Sequence, residues 1–150
     1  VDETVLDATP IEPDKLAIVY SRELCGISPE LDEADRVDFS QCEALSFVVL
    51  GVNQEMRVLF EKLCAASDIY PQIAVEAVNM TTAWELACTG AGATLLPLQF
   101  VNSAVDDGKL IVKRLKNDVQ LRQPAIVTKR GEYVSPYARY AMELLLNDKR

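Results

Sequence analysis

The run Leu45-Ser46-Phe47-Val48-Val49-Leu50 has the length and apolar content of a buried strand, and it closes on Gly51. Directly after it, Met56, Leu59, Phe60, Leu63 and Cys64 recur at three- and four-residue spacing, which gives a helix one apolar face. A strand feeding a helix through so short a turn restricts the fold more than any other feature, because such units bury their faces by covering a sheet with helices. The pattern then repeats. Ile73, Val75 and Ala77 alternate with Ala74, Glu76 and Val78 as a strand does, and Ala83, Leu86 and Ala87 supply the buried face of a short helix. Gly90 and Gly92 end that helix, Ala93 to Leu96 form a third buried strand, and a helix-like stretch follows from Leu98 to Val105.

The flanks extend the same grammar. Leu16 to Tyr20 reads as a strand behind a Pro-rich, acidic lead containing Pro10 and Pro13, while Gly26 to Asp38 reads as a solvated loop with at most a short helical turn. Gly108 marks a turn before the strand Leu110 to Val112, and Pro124 to Thr128 is another strand entered through proline. Ser135 caps and Pro136 opens a closing helix, whose stripe of Tyr137, Tyr140, Ala141, Leu144 and Leu145 is expected to dock. Asn53 is the expected N-cap of the first long helix, with Glu55 in its first turn, and Thr82 with Glu85 resembles a capping box for the next. The predicted fold class is α/β.

Composition removes several function classes. A net charge of −8 argues against direct nucleic-acid binding, which needs clustered Lys and Arg against phosphate. The chain has no His, so Ser-His-Asp and Cys-His catalysis and His-ligated zinc are excluded. Cys25, Cys42, Cys64 and Cys88 form no CxxC pair, and reduced thiols are expected, with a Cys25–Cys42 redox pair as the weaker reading. The acidic run Glu30 to Asp38 lacks EF-hand spacing, so no metal and no cofactor is expected. No apolar stretch approaches the roughly 20 residues of a membrane span. The start at Val1 carries no export signal and no initiating Met, so an excised or processed piece of a cytoplasmic protein is expected.

A helix N-terminus presents unpaired N–H groups and the positive end of its dipole, and so favours an anion. Helices starting near Asn53 and Gln54 and near Thr81 and Thr82 both follow strands, so in an open sheet both would face the carboxyl edge where ligands bind. A small carboxylate is the natural ligand there, with Asn53, Gln54, Asn79 and Thr81 adding hydrogen bonds and Pro97 and Phe100 shaping an apolar wall. Each residue also has a plainer reading. Asn53 and Thr82 could serve as caps alone, Arg57 is better read as the partner of Glu61 than of a ligand, and Trp84 as packing or interface. An enzyme using Glu55 and Glu85 as acid and base is the alternative from another class, although nothing in the sequence clusters them.

The stretch Ala77 to Phe100, a strand, a capped helix, a GxG turn and an apolar strand ending in Pro, resembles the effector-binding domain of LysR-type transcriptional regulators. Leu16 to Tyr20, Leu45 to Arg57, Gly108 to Leu115, Ala125 to Lys129 and Ser135-Pro136 to Leu146 extend the resemblance nearly end to end. It implies a periplasmic-binding-protein-like fold of type 2, with two subdomains, two crossover strands and a ligand cleft. Residues 1–15 would be the lead from the first subdomain, 16–120 the second subdomain, and 121–150 the return to the first. The resemblance places effector contacts at Gly51, Asn53, Gln54, Asn79, Thr81, Pro97 and Phe100. It also implies promoter DNA as a partner through an N-terminal helix-turn-helix that this chain lacks, and a homo-oligomer, dimer or tetramer. A free-standing solute-binding module is the competing reading.

Overall fold

The computed structural model describes residues 5–104, 108–117 and 124–147. In chain order its elements are β1 (Leu6–Pro10), β2 (Leu16–Ser21), α1 (Pro29–Glu33), β3 (Arg36–Val37), β4 (Phe47–Leu50), α2 (Glu55–Ser67) and β5 (Ile73–Ala77). They continue with α3 (Met80–Cys88), β6 (Thr94–Pro97), α4 (Leu98–Ser103), β7 (Leu110–Leu115), β8 (Ala125–Lys129) and α5 (Pro136–Asn147). The chain divides into two compact units, Lys15–Val119 and the pair Val1–Asp14 with Gln120–Arg150. The expected boundary at Gln120 and the expected helix end at Val105 lie outside the described residues.

In the larger unit, strands follow the order β3-β7-β2-β6, with β2 antiparallel to both β6 and β7. All six residues of β2 are buried, as the apolar run Leu16 to Tyr20 requires. β4 and β5 form a parallel pair, and a parallel bridge between Phe47 and Ala93 links β4 to the start of β6. That approach explains the second glycine of the GxG turn: a Cβ on Gly92 would lie 3.0 Å from both Ser46 O and Val48 N. Gly90 answers a different need, since its φ of +78° at the exit of α3 is costly for any residue with a Cβ. Parallel β4, β5 and β6 therefore all deliver their carboxyl ends to one edge.

Two clusters hold this unit together. Phe39, Phe47 and Phe60 meet at ring-centroid distances of 5.0 to 5.9 Å. Val19, Trp84, Ala87, Leu96, Val101 and Leu110 form the other, so Trp84 packs in the core as expected. Fully burying a side chain of the larger kind contributes about 1.5–3 kcal/mol.

Several expectations need correction. The segment Gly26 to Asp38 holds the short helix allowed for, α1, but also β3, and buries Leu31 and Val37 completely, under a Ser28 cap and through pairing with β7. Leu45 is buried but precedes the strand, which starts at Phe47. β5 keeps the expected extended backbone and pairs with β4, yet Ile73 and Val75 stay 45% and 37% exposed. In the smaller unit the Pro-rich lead contains β1, antiparallel to β8 from Leu6 opposite Lys129 to Pro10 opposite Ala125. Ser135 caps α5 as expected, its Oγ accepting from the Ala138 N–H at 3.2 Å. The stripe on α5 is not docked there: none of its residues is buried.

Candidate functional site

The edge formed by the ends of β4 and β5 is shaped by two tight connections. After β4, residues 51–54 close a turn in which the Gln54 N–H donates to Gly51 O at 2.9 Å. This turn moves the helix start one residue beyond the expected place. Gln54, not Asn53, occupies the cap position of α2, and it makes no side-chain cap. Instead its Nε2 donates to Val78 O at 2.9 Å, tying the turn to the end of β5. Asn53 projects from the turn as an exposed residue.

After β5 the chain enters α3 differently. Asn79, extended at φ −156° and ψ 172°, places its Oδ1 to accept from the Thr82 N–H at 2.8 Å. Asn79 is therefore the cap and Thr82 its recipient, and the helix starts at Met80, three residues before the Thr82–Glu85 box would have begun it. Both Asn79 and Thr82 are good cap residues, so residue type alone does not choose between them. Thr81 stands exposed in the first turn.

Arg57 braces the same edge. Its Nε meets Glu61 Oε1 at 2.8 Å, the partner expected from sequence, and a terminal nitrogen reaches Glu76 Oε2 and Leu50 O, each at 3.3 Å. Arg57 thus binds the ends of β4 and β5 to α2 while its side chain is 13% exposed. Sequence reading missed Glu76 and the Val78 carbonyl. The alternation along β5 puts Glu76 on a definite face, but no local pattern reports a bond across 19 residues.

Gly51, Asn53, Gln54, Asn79 and Thr81 are brought to the ends of β4 and β5. A Cβ on Gly51 would lie 3.5 Å from Gln54 Nε2 and 3.7 Å from Glu76 Oε1, so the turn stays open at ordinary contact distance. Pro97 ends β6 opposite Leu16, and the next residue's N–H donates to Lys15 O at 2.7 Å. Phe100 is spent differently: its ring packs edge-on against Trp84, centroids 6.4 Å apart. Among the described residues no group of three His, Cys, Asp or Glu could hold a metal ion. No described helix is long and apolar enough to cross a membrane. Cys42 is fully buried, and burial, with Asp38 adding to it, pushes its thiol up to about 12. A thiol held protonated is a poor nucleophile, while Cys25 is a free, exposed thiol.

The family model described as LysR substrate binding domain matches residues 2–150. No curated protein matches the chain by sequence. Among solved structures, the effector binding domain of QuiR in complex with shikimate is 18% identical with a TM-score of 0.61, covering 97% of this chain and 66% of that one. The regulatory domain of Synechocystis PCC6803 CcmR in complex with 2-PG is 13% identical with a TM-score of 0.68, covering 97% and 68%. Full-length CbnR complexed with target DNA is 15% identical with a TM-score of 0.64, covering 93% of this chain and 45% of that one. The chain thus spans about two thirds of the isolated domains it resembles and less than half of that full-length regulator. The fold is the α/β, periplasmic-binding-protein-like fold of type 2.

Proposed function

The chain belongs to the family of LysR substrate-binding domains, and from that membership we propose that it senses a small anionic metabolite for a transcriptional regulator. Lys15–Val119 is the second subdomain, and the β1–β8 pair with α5 belongs to the first. The observation that carries the reading is the shared edge: β4 and β5 end side by side and present Gly51, Asn53, Gln54, Asn79 and Thr81 together, with the starts of two helices behind them. Pro97 of β6 closes the apolar side, and Phe100, within α4, packs against Trp84 of α3. Helix N-termini favour a carboxylate or phosphate. The ligands named for QuiR and CcmR, shikimate and 2-PG, support a small effector.

The domain binds and does not turn over its ligand. Its output passes to promoter DNA through a helix-turn-helix in the complete regulator, and the protein is cytoplasmic. Exposed Ile73 and Val75 on β5, and Tyr140, Leu144 and Leu145 on α5, support assembly into a homo-oligomer. Effector binding acts by preferring one of two arrangements of that assembly, since a ligand shifts an equilibrium only by its differential affinity.

Calorimetric titration with shikimate, 2-PG and benzoate tests the site. At least one carboxylate or phosphate is expected to bind saturably, and Asn53→Ala or Thr81→Ala to weaken it by about tenfold with no fall in melting temperature. Binding insensitive to both substitutions, or no binding by any of the three, would contradict the assignment.

A further inference from the structure

We propose that the Lys15–Val119 unit carries a second ligand site, a groove for an amphipathic anion between β3, β7 and α4, distinct from the edge described above. The groove has a volume of about 610 Å³, within the roughly 300–1,000 Å³ usual for small-molecule sites. Its floor is apolar: Trp84 of α3, Val112 of β7, and Leu98 and Val101 of α4. Its polar wall is a pair of arginines. Arg36 and Arg114 are direct partners in the parallel ladder between β3 and β7, so both side chains rise on one face with their strands about 4.8 Å apart.

Like charges placed directly opposite on neighbouring strands repel and destabilise the sheet. Two other arginines are neutralised, Arg57 by Glu61 and Glu76 and Arg130 by Asp7. Arg36 and Arg114 have neither an ion pair nor a side-chain hydrogen bond among the described residues, in a protein of net charge −8. Asp35 lines the same groove without reaching ion-pair distance of either. An anion laid between the two guanidinium groups turns their repulsion into attraction, and planar guanidinium forks fit a carboxylate or phosphate. The floor then takes an apolar chain or ring. The ligand is a small anion with an apolar body, a carboxylate or a phosphate ester, and Asn102 adds an amide to the lining.

Trp84 is the sole tryptophan of the chain, so its fluorescence reports on this groove. Titration of the chain with hexanoate is expected to give a saturable change. Arg36→Gln and Arg114→Gln weaken it roughly tenfold, and Asn53→Ala leaves it unaltered. Hexyl phosphate matching or exceeding hexanoate would assign the phosphate ester, and the reverse order the carboxylate. No saturable change with either anion, an equal response to 1-hexanol, or a response that survives both arginine substitutions would overturn the site. A measurement without ligand adds a second check: Arg36→Gln should raise the melting temperature at low ionic strength, with the gain lost in high salt. A fall at low salt would show that the two arginines do not repel and would remove the driving force.

Discussion

Two helices start at the same edge of this molecule and are finished differently. α3 is closed by Asn79, whose side chain satisfies the Thr82 amide. α2 opens on Gln54, which leaves its own helix without a side-chain cap and donates to Val78 on the neighbouring segment instead. A cap stabilises a helix by about 1 kcal/mol, so omitting one at the longer helix, 13 residues against 9, is a cost that packing on α2's buried face must offset. The difference separates two tasks. The start of α3 is a finished structural joint, and the start of α2 keeps its positive end open toward the edge where an anion would lie.

The largest expected effect comes from closing that open end. Gln54→Asp puts a carboxylate where the effector's own charge would sit, so affinity for a small carboxylate should fall by about tenfold or more, roughly 1.4 kcal/mol, without loss of thermal stability. Unchanged affinity would mean that α2 contributes nothing to binding. Next in size, Asn79→Ala should lower unfolding free energy by about 1 kcal/mol, while Asn53→Ala stays within about 0.5 kcal/mol of the parent, both read by urea denaturation. Equal losses from the two would erase the distinction between the helix starts. The smallest effect concerns Glu55, which already places a negative charge in the first turn of α2. Glu55→Gln should strengthen carboxylate binding by about two- to threefold, and salt should shrink the gain.

What could be read from sequence follows how local each determinant is. The strand and helix of Phe47 to Ser67 were visible because burial marks neighbouring residues, and the same holds for Met80 to Cys88, whereas Ile73 to Ala77 showed by alternation of residue types although only Ala77 is buried. The two caps were displaced because Asn53 and Thr82 look like caps locally, whereas a turn closed on Gly51 and the earlier acceptor at Asn79 decide the matter. β1 and β3 were hidden for a different reason. Leu6 to Pro10 is strand only because β8 pairs with it, and Arg36–Val37 only because β7 does, partners lying far along the chain. The stripe on α5 shows the converse limit: periodicity identifies the side chains that favour burial, but not the surface that covers them. At the candidate site, the residue types and their common edge could be inferred from strand–helix order. The bonds from Gln54 to Val78 and from Arg57 to Glu76, which fix the edge, could not.

The central claim is that a small anion is held where β4 and β5 end. Backbone amide shifts in two-dimensional nitrogen–proton NMR, followed as shikimate or benzoate is added, test it most directly. The account predicts that the largest saturable shifts fall on the amides of residues 53–56 and 79–82. Shifts confined to other parts of the chain, or none at these two helix starts while the ligand binds, would contradict it.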